Sequence, residues 1–178
     1  MAVIVRPATL SDMGEVLAID ASYTTRYVWQ MEQRRELDEI VTRFREVRLP
    51  RELRVEVSPE WVAQADRWQE RDVTLVAEDE GRVVGSLSIA IDNERPVGKL
   101  IQVAVVSERR RRGIGATLLG HGRQWAAQRE LAALEADVPT KNQPAIRLLL
   151  KGGFALCGYN DRYYAGREIA LLFNCPLR

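Results

Sequence analysis

Apolar and polar positions alternate along most of this chain, with a few stretches of helical spacing between them. Ala2–Arg6 predicts a short strand that Pro7 ends. Ser11 or Asp12 then predicts a cap for a helix through Ala21, with Met13, Val16, Leu17 and Asp20 on a modest stripe. Residues 22–57 carry two signals at once. Leu37, Ile40, Val41, Phe44 and Val47 sit at helical spacing, while Ile40-Val41-Thr42 and Arg54-Val55-Glu56-Val57 favour extended chain, so helix and hairpin both stay open. Ser58-Pro59-Glu60 predicts a helix start, and Trp61, Ala65 and Trp68 share a face to about Gln69. Val73–Glu78, Val83–Asp92 and Lys99–Val106 predict three strands, with turns at Asp79-Glu80-Gly81 and Asn93–Pro96, which is the pattern of an antiparallel meander. Ile114, Leu118, Trp125 and Arg129 then lie on one helical side, with Leu119 and Ala126 beside them. Leu131–Val138 is a further strand. Asn142 and Pro144 open a helix that Gly152-Gly153 stop, and Phe154–Tyr159 and Arg167–Phe173 close as strands. No internal repeat and no low-complexity segment interrupts this order.

Composition narrows the picture. A chain of 178 residues with 46% apolar positions suits one globular domain. The formal net charge is +1, whereas a protein that tracks a polyanion usually carries a larger excess, which speaks against a nucleic-acid partner. Two cysteines, Cys157 and Cys175, lack metal-ligand spacing, and His121 is the one histidine, so no metal site is expected. The start MAVIVRPATLSD resembles no signal peptide, and no apolar run reaches the roughly 18 residues of a membrane span; a cytoplasmic protein is the expectation.

The candidate chemistry lies in RRRRGIGATLLGHGRQW, Arg109 to Trp125. A strand runs into four arginines, then Gly113-Ile114-Gly115, then a helix. A helix start carries unpaired N–H groups and partial positive charge, and glycines let a phosphate approach them closely. A Walker loop would need Gly-Lys-Ser/Thr, which is absent. A Rossmann turn would need a third glycine where Leu118 stands, and a parallel setting. A nucleic-acid patch would need stacking aromatics around the arginines. A solvated basic turn is the plain alternative.

Arg110-Arg111-Arg112-Gly113-Ile114-Gly115 matches the R/Q-x-x-G-x-G/A signature, and the chain here resembles the GNAT superfamily of N-acetyltransferases. Leu100–Ser107 looks like that family's central strand. Asn142-Gln143-Pro144-Ala145 followed by Gly152-Gly153-Phe154 looks like its second signature, and Arg6-Pro7-Ala8 with Asp12 is similar to its usual opening. Asn-x-Pro-Ala, Gly-Phe-x-Leu-x-Gly and the closing Glu-x-Ala strand look most like streptothricin acetyltransferases and their relatives. The resemblance implies a single α/β domain over residues 1–178. Its sheet is mixed and mostly antiparallel, with six or seven strands, splayed at the cofactor site and flanked by helices. It makes residues 22–60 a variable substrate-side insertion and favours a hairpin over residues 27–49.

The same resemblance implies residue roles. The main-chain amides of Arg111 to Ala116, including Arg112, Gly113, Ile114 and Gly115, would hold the pyrophosphate of acetyl-CoA. The side chains of Arg110, Arg111 and Arg112 would add charge for a further phosphate, although exposure to water is their ordinary state. Val103, Ala104 and Val105 would receive the pantetheine arm, and the Val105 N–H would serve as an oxyanion donor. Asn142 would be both an N-cap and a partner of the CoA arm. An acceptor amine near pKa ~10.4 costs roughly 4–5 kcal/mol to deprotonate at pH 7, so a general base is useful. The family's strand-borne glutamate is missing, since Lys99, Ile101 and Gln102 fill those places, and Asp137 becomes the candidate base, with Glu135 on the same face. Either could equally be a salt-bridged strand end. Leu149 stands where many members place a proton-donating tyrosine; Tyr159, Tyr163 and Tyr164 are the alternatives. Tyr27, Trp29 and Met31 fall in the substrate-side region, as pocket wall or as hairpin packing, and Tyr164 joins Tyr27 and Trp29 as a candidate substrate contact. The expected activity is acetyl transfer from acetyl-CoA to a primary amine, with a small molecule as acceptor. A peptide or protein amine, a CoA-binding module without catalysis, and a nucleic-acid protein stay open as rivals. A homodimer is compatible with the resemblance, since GNAT domains often pair.

Overall fold

The structure, a computed structural model, describes residues 3–57, 67–164 and 167–177. A seven-stranded sheet forms the body, with strands in the order β1-β4-β5-β6-β7-β9-β8. These are β1 (Ile4–Pro7), β4 (Val73–Asp79), β5 (Arg82–Ile91), β6 (Val97–Val105), β7 (Ala133–Pro139), β8 (Ala155–Tyr164) and β9 (Glu168–Pro176). Every pairing is antiparallel except β6 with β7. The meander β4–β5–β6 follows from short turns at Glu80-Gly81 and residues 92–96, whereas β6 reaches β7 only through a crossover helix, as a parallel neighbour requires.

That crossover is α2 (Ile114–Gln128), which buries Ile114, Leu118, Leu119, Trp125 and Ala126 against one face of the sheet. On this face Leu87, Ile89, Leu134, Leu171 and Phe173 are all at most 2% exposed, and Ile146 and Leu149 of α3 (Gln143–Lys151) join them. The opposite face packs Met13, Val16 and Ile19 against Val76, Val83 and Ala104. The first helix, α1 (Met13–Leu17), is shorter than the apolar stripe predicts and does not run to Ala21. Thr9, rather than Ser11 or Asp12, precedes its opening turn, and Asp12 reaches back to the Thr9 N–H at 2.7 Å. Arg6 holds the same carboxylate at 2.7 Å and Glu78 at 2.8 Å, which ties β1, the opening turn and β4 together.

Residues 22–57 form a hairpin, β2 (Tyr23–Glu36) and β3 (Glu39–Val55), joined by a two-residue turn at Leu37-Asp38. Its ladder is longer than the expected 27–49. The helical spacing of Leu37, Ile40 and Val41 is not used, and all three are exposed near the turn. The hairpin is anchored instead by Trp29 and Phe44, which pack on the main core, and Phe44 meets Tyr159 of β8 edge-on at 5.3 Å. The helix expected from Ser58 to Gln69 falls mostly on residues outside the described ones; Trp68–Glu70 form a single 3-10 turn. None of the helices of the described residues is long and apolar enough to cross a membrane.

Candidate active site

The sheet opens between its two parallel strands. Val97, Gly98 and Lys99 pair with Ala133, Leu134 and Glu135, and there the ladder ends. Beyond it, residues 100–105 of β6 and 136–139 of β7 diverge. The register fixes what faces the gap. Val106 donates to the Val84 carbonyl at 3.0 Å, and Ala104 lies opposite Ser86 in the same register. Alternation along an antiparallel pair therefore turns the main-chain groups of Val103 and Val105 away from β5 and into the gap. Ala104 is not brought there: its main chain faces β5 and its side chain is buried against α1. The gap is the shape an extended, amide-bearing arm needs, because it presents strand-like donors and acceptors with no strand beside them.

The lip of the gap is the arginine–glycine turn. Gly113 takes φ +86° just before α2, a left-handed conformation that a side chain disfavours, and a Cβ built there would meet nothing within 4 Å. The first bond of the helix runs from the Thr117 N–H to the Gly113 carbonyl at 3.0 Å. The N–H groups of Gly113, Ile114, Gly115 and Ala116 thus emerge from the helix end without intrahelical partners, and no side chain caps them. Gly115 does a different job: a Cβ there would lie 3.3 Å from Leu148, so its absence lets α2 and α3 approach. On the other lip, Asn142 caps α3 by accepting from the Ala145 N–H at 3.2 Å, and the cap leaves its side-chain amide N–H groups for another partner.

The four arginines divide into pairs. Arg111 (φ +64°) and Arg112 are exposed at the lip. Arg109 and Arg110 are half-buried. Arg109 pairs with Asp79 at 2.9 Å. Arg110 directs its guanidinium away from the lip, onto the carbonyls of Val105 (2.9 Å), Ser22 (2.7 Å) and Asp20. Its side chain is therefore a brace and not the phosphate contact the motif suggests. The brace has a counterpart: the Trp29 N–H donates to the Thr140 carbonyl just past β7 at 3.0 Å. Residues 20–29 thus form a strap from the end of β6 to the end of β7.

At the closed end of the gap, side chains stitch the two strands. Lys99 Nζ lies 2.7 Å from Asp137 Oδ1 and 3.1 Å from the Tyr163 hydroxyl. The Tyr164 hydroxyl donates to the other Asp137 oxygen at 2.9 Å, and Tyr163 approaches Oδ1 at 3.4 Å. Burial works against the Lys99 charge, but the hydrogen bonds to Asp137 and Tyr163 outweigh it and hold the ammonium above its ordinary pKa. Burial, and then the Asp137 charge, push the Tyr164 hydroxyl far above the usual phenol range, so it stays a neutral donor. Glu135 is separate from this cluster and is held by Arg95 at 3.2 Å.

The remaining sequence candidates take packing positions. Trp29 Nε1 donates to Gln143 at 2.8 Å, Gln143 in turn donates to Glu46, and Arg147 bonds Glu46 at 2.8 Å while stacking over Tyr27 at 5.3 Å. This network docks the hairpin on the start of α3, and Met31 is half-buried along β2. Leu149 is 2% exposed in the core, so the usual tyrosine place holds no proton donor. His121 is exposed on α2. No cluster of metal-binding side chains occurs among the described residues. Composition and spacing gave no signal for Lys99 as the partner of Asp137, for Tyr23, or for Glu168; the last lies in the closing Glu-x-Ala pattern but is given no role by it.

A splayed parallel pair beside an uncapped glycine-led helix start defines an acyl-CoA transferase architecture, and residues 29–154 match the acetyltransferase (GNAT) family. The chain belongs to that family, whose acyl donor is acetyl-CoA. Among relatives, it is 33% identical over 78 residues to a streptothricin acetyltransferase of Streptomyces lavendulae, covering 42% of this chain and 41% of that protein. It is 34% identical over 116 residues to an N-alpha-acetyltransferase of Sulfurisphaera tokodaii, covering 58% and 68%. The fold is similar to that of a nourseothricin acetyltransferase over the whole of both chains, with a TM-score of 0.83 and 25% identity. A streptothricin acetyltransferase homologue from Bacillus anthracis, solved in complex with acetyl coenzyme A, has a TM-score of 0.77 at 16% identity over 99% of both chains.

Proposed function

We propose that this protein transfers the acetyl group of acetyl-CoA to a primary amine of a small molecule, within the streptothricin acetyltransferase-like branch. The observation that carries the reading is the coincidence of two unfilled donor sets, the strand edge at Val103 and Val105 and the helix start at Gly113 to Ala116. The first suits the amides of a pantetheine arm, and the second suits a diphosphate. The thioester supplies an activated carbonyl, and the Val105 N–H, facing the gap, is the candidate donor to the oxygen that gains charge. Asn142 offers its amide to the arm, and Arg111 and Arg112 stand at the lip for the nucleotide phosphates.

Asp137 is the candidate acceptor of the amine's proton, directly or through Tyr164, whose hydroxyl already donates to it. Glu135, occupied by Arg95, stands further out on the same strand as a second carboxylate. Tyr164 and Tyr27 would contact the acceptor, while Trp29 supports that wall through Gln143. The small-molecule reading is favoured over a peptide amine by the likeness to the nourseothricin enzyme along the full chain. The test is CoA release from acetyl-CoA across a panel of aminoglycoside, streptothricin, lysine and peptide amines. Turnover on small amines with Asp137→Asn lowering kcat about 100-fold supports the reading. CoA binding without turnover on any amine would leave a CoA-binding module instead.

A further inference from the structure

Around the gap, one carboxylate has a charge that no protein group answers. Oε1 of Glu168 is buried and accepts no hydrogen bond. Its ion-pair partner among the described residues, Lys141 Nζ, stands at 3.6 Å, beyond hydrogen-bond reach. The neighbouring acids are satisfied by contrast: Asp137 by Lys99 and Tyr164, Glu135 by Arg95, and Asp20 by the Ser22 N–H and hydroxyl. A buried carboxylate oxygen without a donor is costly, and native proteins keep such atoms where a ligand or a reaction uses them.

Its position is suggestive. Glu168 opens β9 directly opposite Tyr164 of β8. The β7–β9 register, carried on from Pro139 opposite Ala170, sets it across from Lys141, just past the open end of β7. Tyr23, in the strap that spans the gap, is raised above the ordinary phenol range by burial and then by the Glu168 charge. Tyr164, which touches Asp137, also lies within the field of Glu168. Two neutral phenols therefore flank the carboxylate on the acceptor side of the candidate site, and a side chain that is 25% exposed leaves it within reach of a solute.

We infer that Glu168 seats a second, permanently charged nitrogen of the acceptor, so that the site selects amines bearing another cation. The inference rests on the acetyltransferase reading. An ammonium held at Oε1 stays protonated, because the carboxylate favours its charge, so it is a different nitrogen from the one acetylated. The site then discriminates a diamine from a monoamine of the same length by filling an acceptor that the monoamine leaves empty.

The experiment compares kcat/KM for 1,5-diaminopentane and pentylamine in the wild type, Glu168→Gln and Glu168→Asp, with melting temperatures alongside. The wild type should prefer the diamine by about tenfold or more, Glu168→Gln should lose that preference, and Glu168→Asp should recover part of it. KM for acetyl-CoA and the melting temperature should not fall in Glu168→Gln, since no donor loses its partner. An unchanged diamine preference in Glu168→Gln overturns the inference, as does an equal loss for both amines accompanied by a lower melting temperature. If the wild type acetylates neither amine, the transferase reading fails separately. Calorimetric binding of 1,5-diaminopentane to the CoA-loaded wild type and Glu168→Gln then decides the seat: tenfold weaker binding in the variant supports it, and equal binding removes it.

Discussion

Gly113→Asp isolates the contribution of the helix start to donor binding. The residue sits at φ +86° with open space where a Cβ would go, so the substitution meets strain but no clash. A left-handed conformation costs an L-residue roughly 1–2 kcal/mol. An aspartate before a helix returns about 1 kcal/mol as an N-cap, here where no side chain caps the helix. Fold stability should therefore change by no more than about 1 kcal/mol. Donor affinity should not survive, because the new carboxylate occupies the N–H groups and repels the diphosphate. Two charges about 4 Å apart repel by roughly 4 kcal/mol near a protein surface, which is about a thousandfold in Kd. Gly113→Asn carries the same strain and the same cap without the charge, and should weaken CoA by only about tenfold. Calorimetric titration with CoA, paired with thermal melts, reads both quantities, and added salt should shrink the gap between the two variants. A Gly113→Asp protein that binds CoA within about threefold of the wild type would refute the assignment of this turn to the diphosphate.

Two further outcomes follow from the contacts that hold the frame. Asp12 is held well below the ordinary carboxylate range, first by Arg6 and then by the Thr9 N–H. A depressed folded-state pKa contributes stability above the unfolded value near 3.8, and that contribution is lost as pH falls through the lower folded value. Asp12→Asn should thus have a lower urea midpoint than the wild type at pH 7, with the difference narrowing below pH 3.8; a constant difference across that window would contradict the linkage. Gln143→Leu removes the acceptor of Trp29 Nε1 and the donor to Glu46, and should cost about 1–3 kcal/mol. Amide exchange should accelerate in the hairpin far more than in β4 or β5; uniform acceleration would mean that the latch is not local.

The meander, the crossover helix and the glycine-led turn were legible because each is written in local terms: alternation, a single apolar stripe and a left-handed turn. The hairpin was not, since Leu37, Ile40, Val41 and Phe44 satisfy helical spacing and strand alternation together. Trp29 against Gln143, more than a hundred residues away, decides between them. Distance in sequence also hid Arg110, whose motif position suggests phosphate while its guanidinium braces the strap. Asp137 could be nominated as a carboxylate on the right strand. That Lys99 answers it and that Glu168 is left unanswered are tertiary facts, because both depend on which strands lie side by side once the sheet has opened.

The opening between β6 and β7 has a thermodynamic corollary. Closing the ladder would give each strand a neighbour, yet this chain leaves that seam to solvent and keeps Val103 and Val105 hydrated. Whatever zips into the seam takes over those bonds and favours the native over the unfolded state by mass action. The protein's resistance to heat is therefore a function of how much acyl carrier surrounds it.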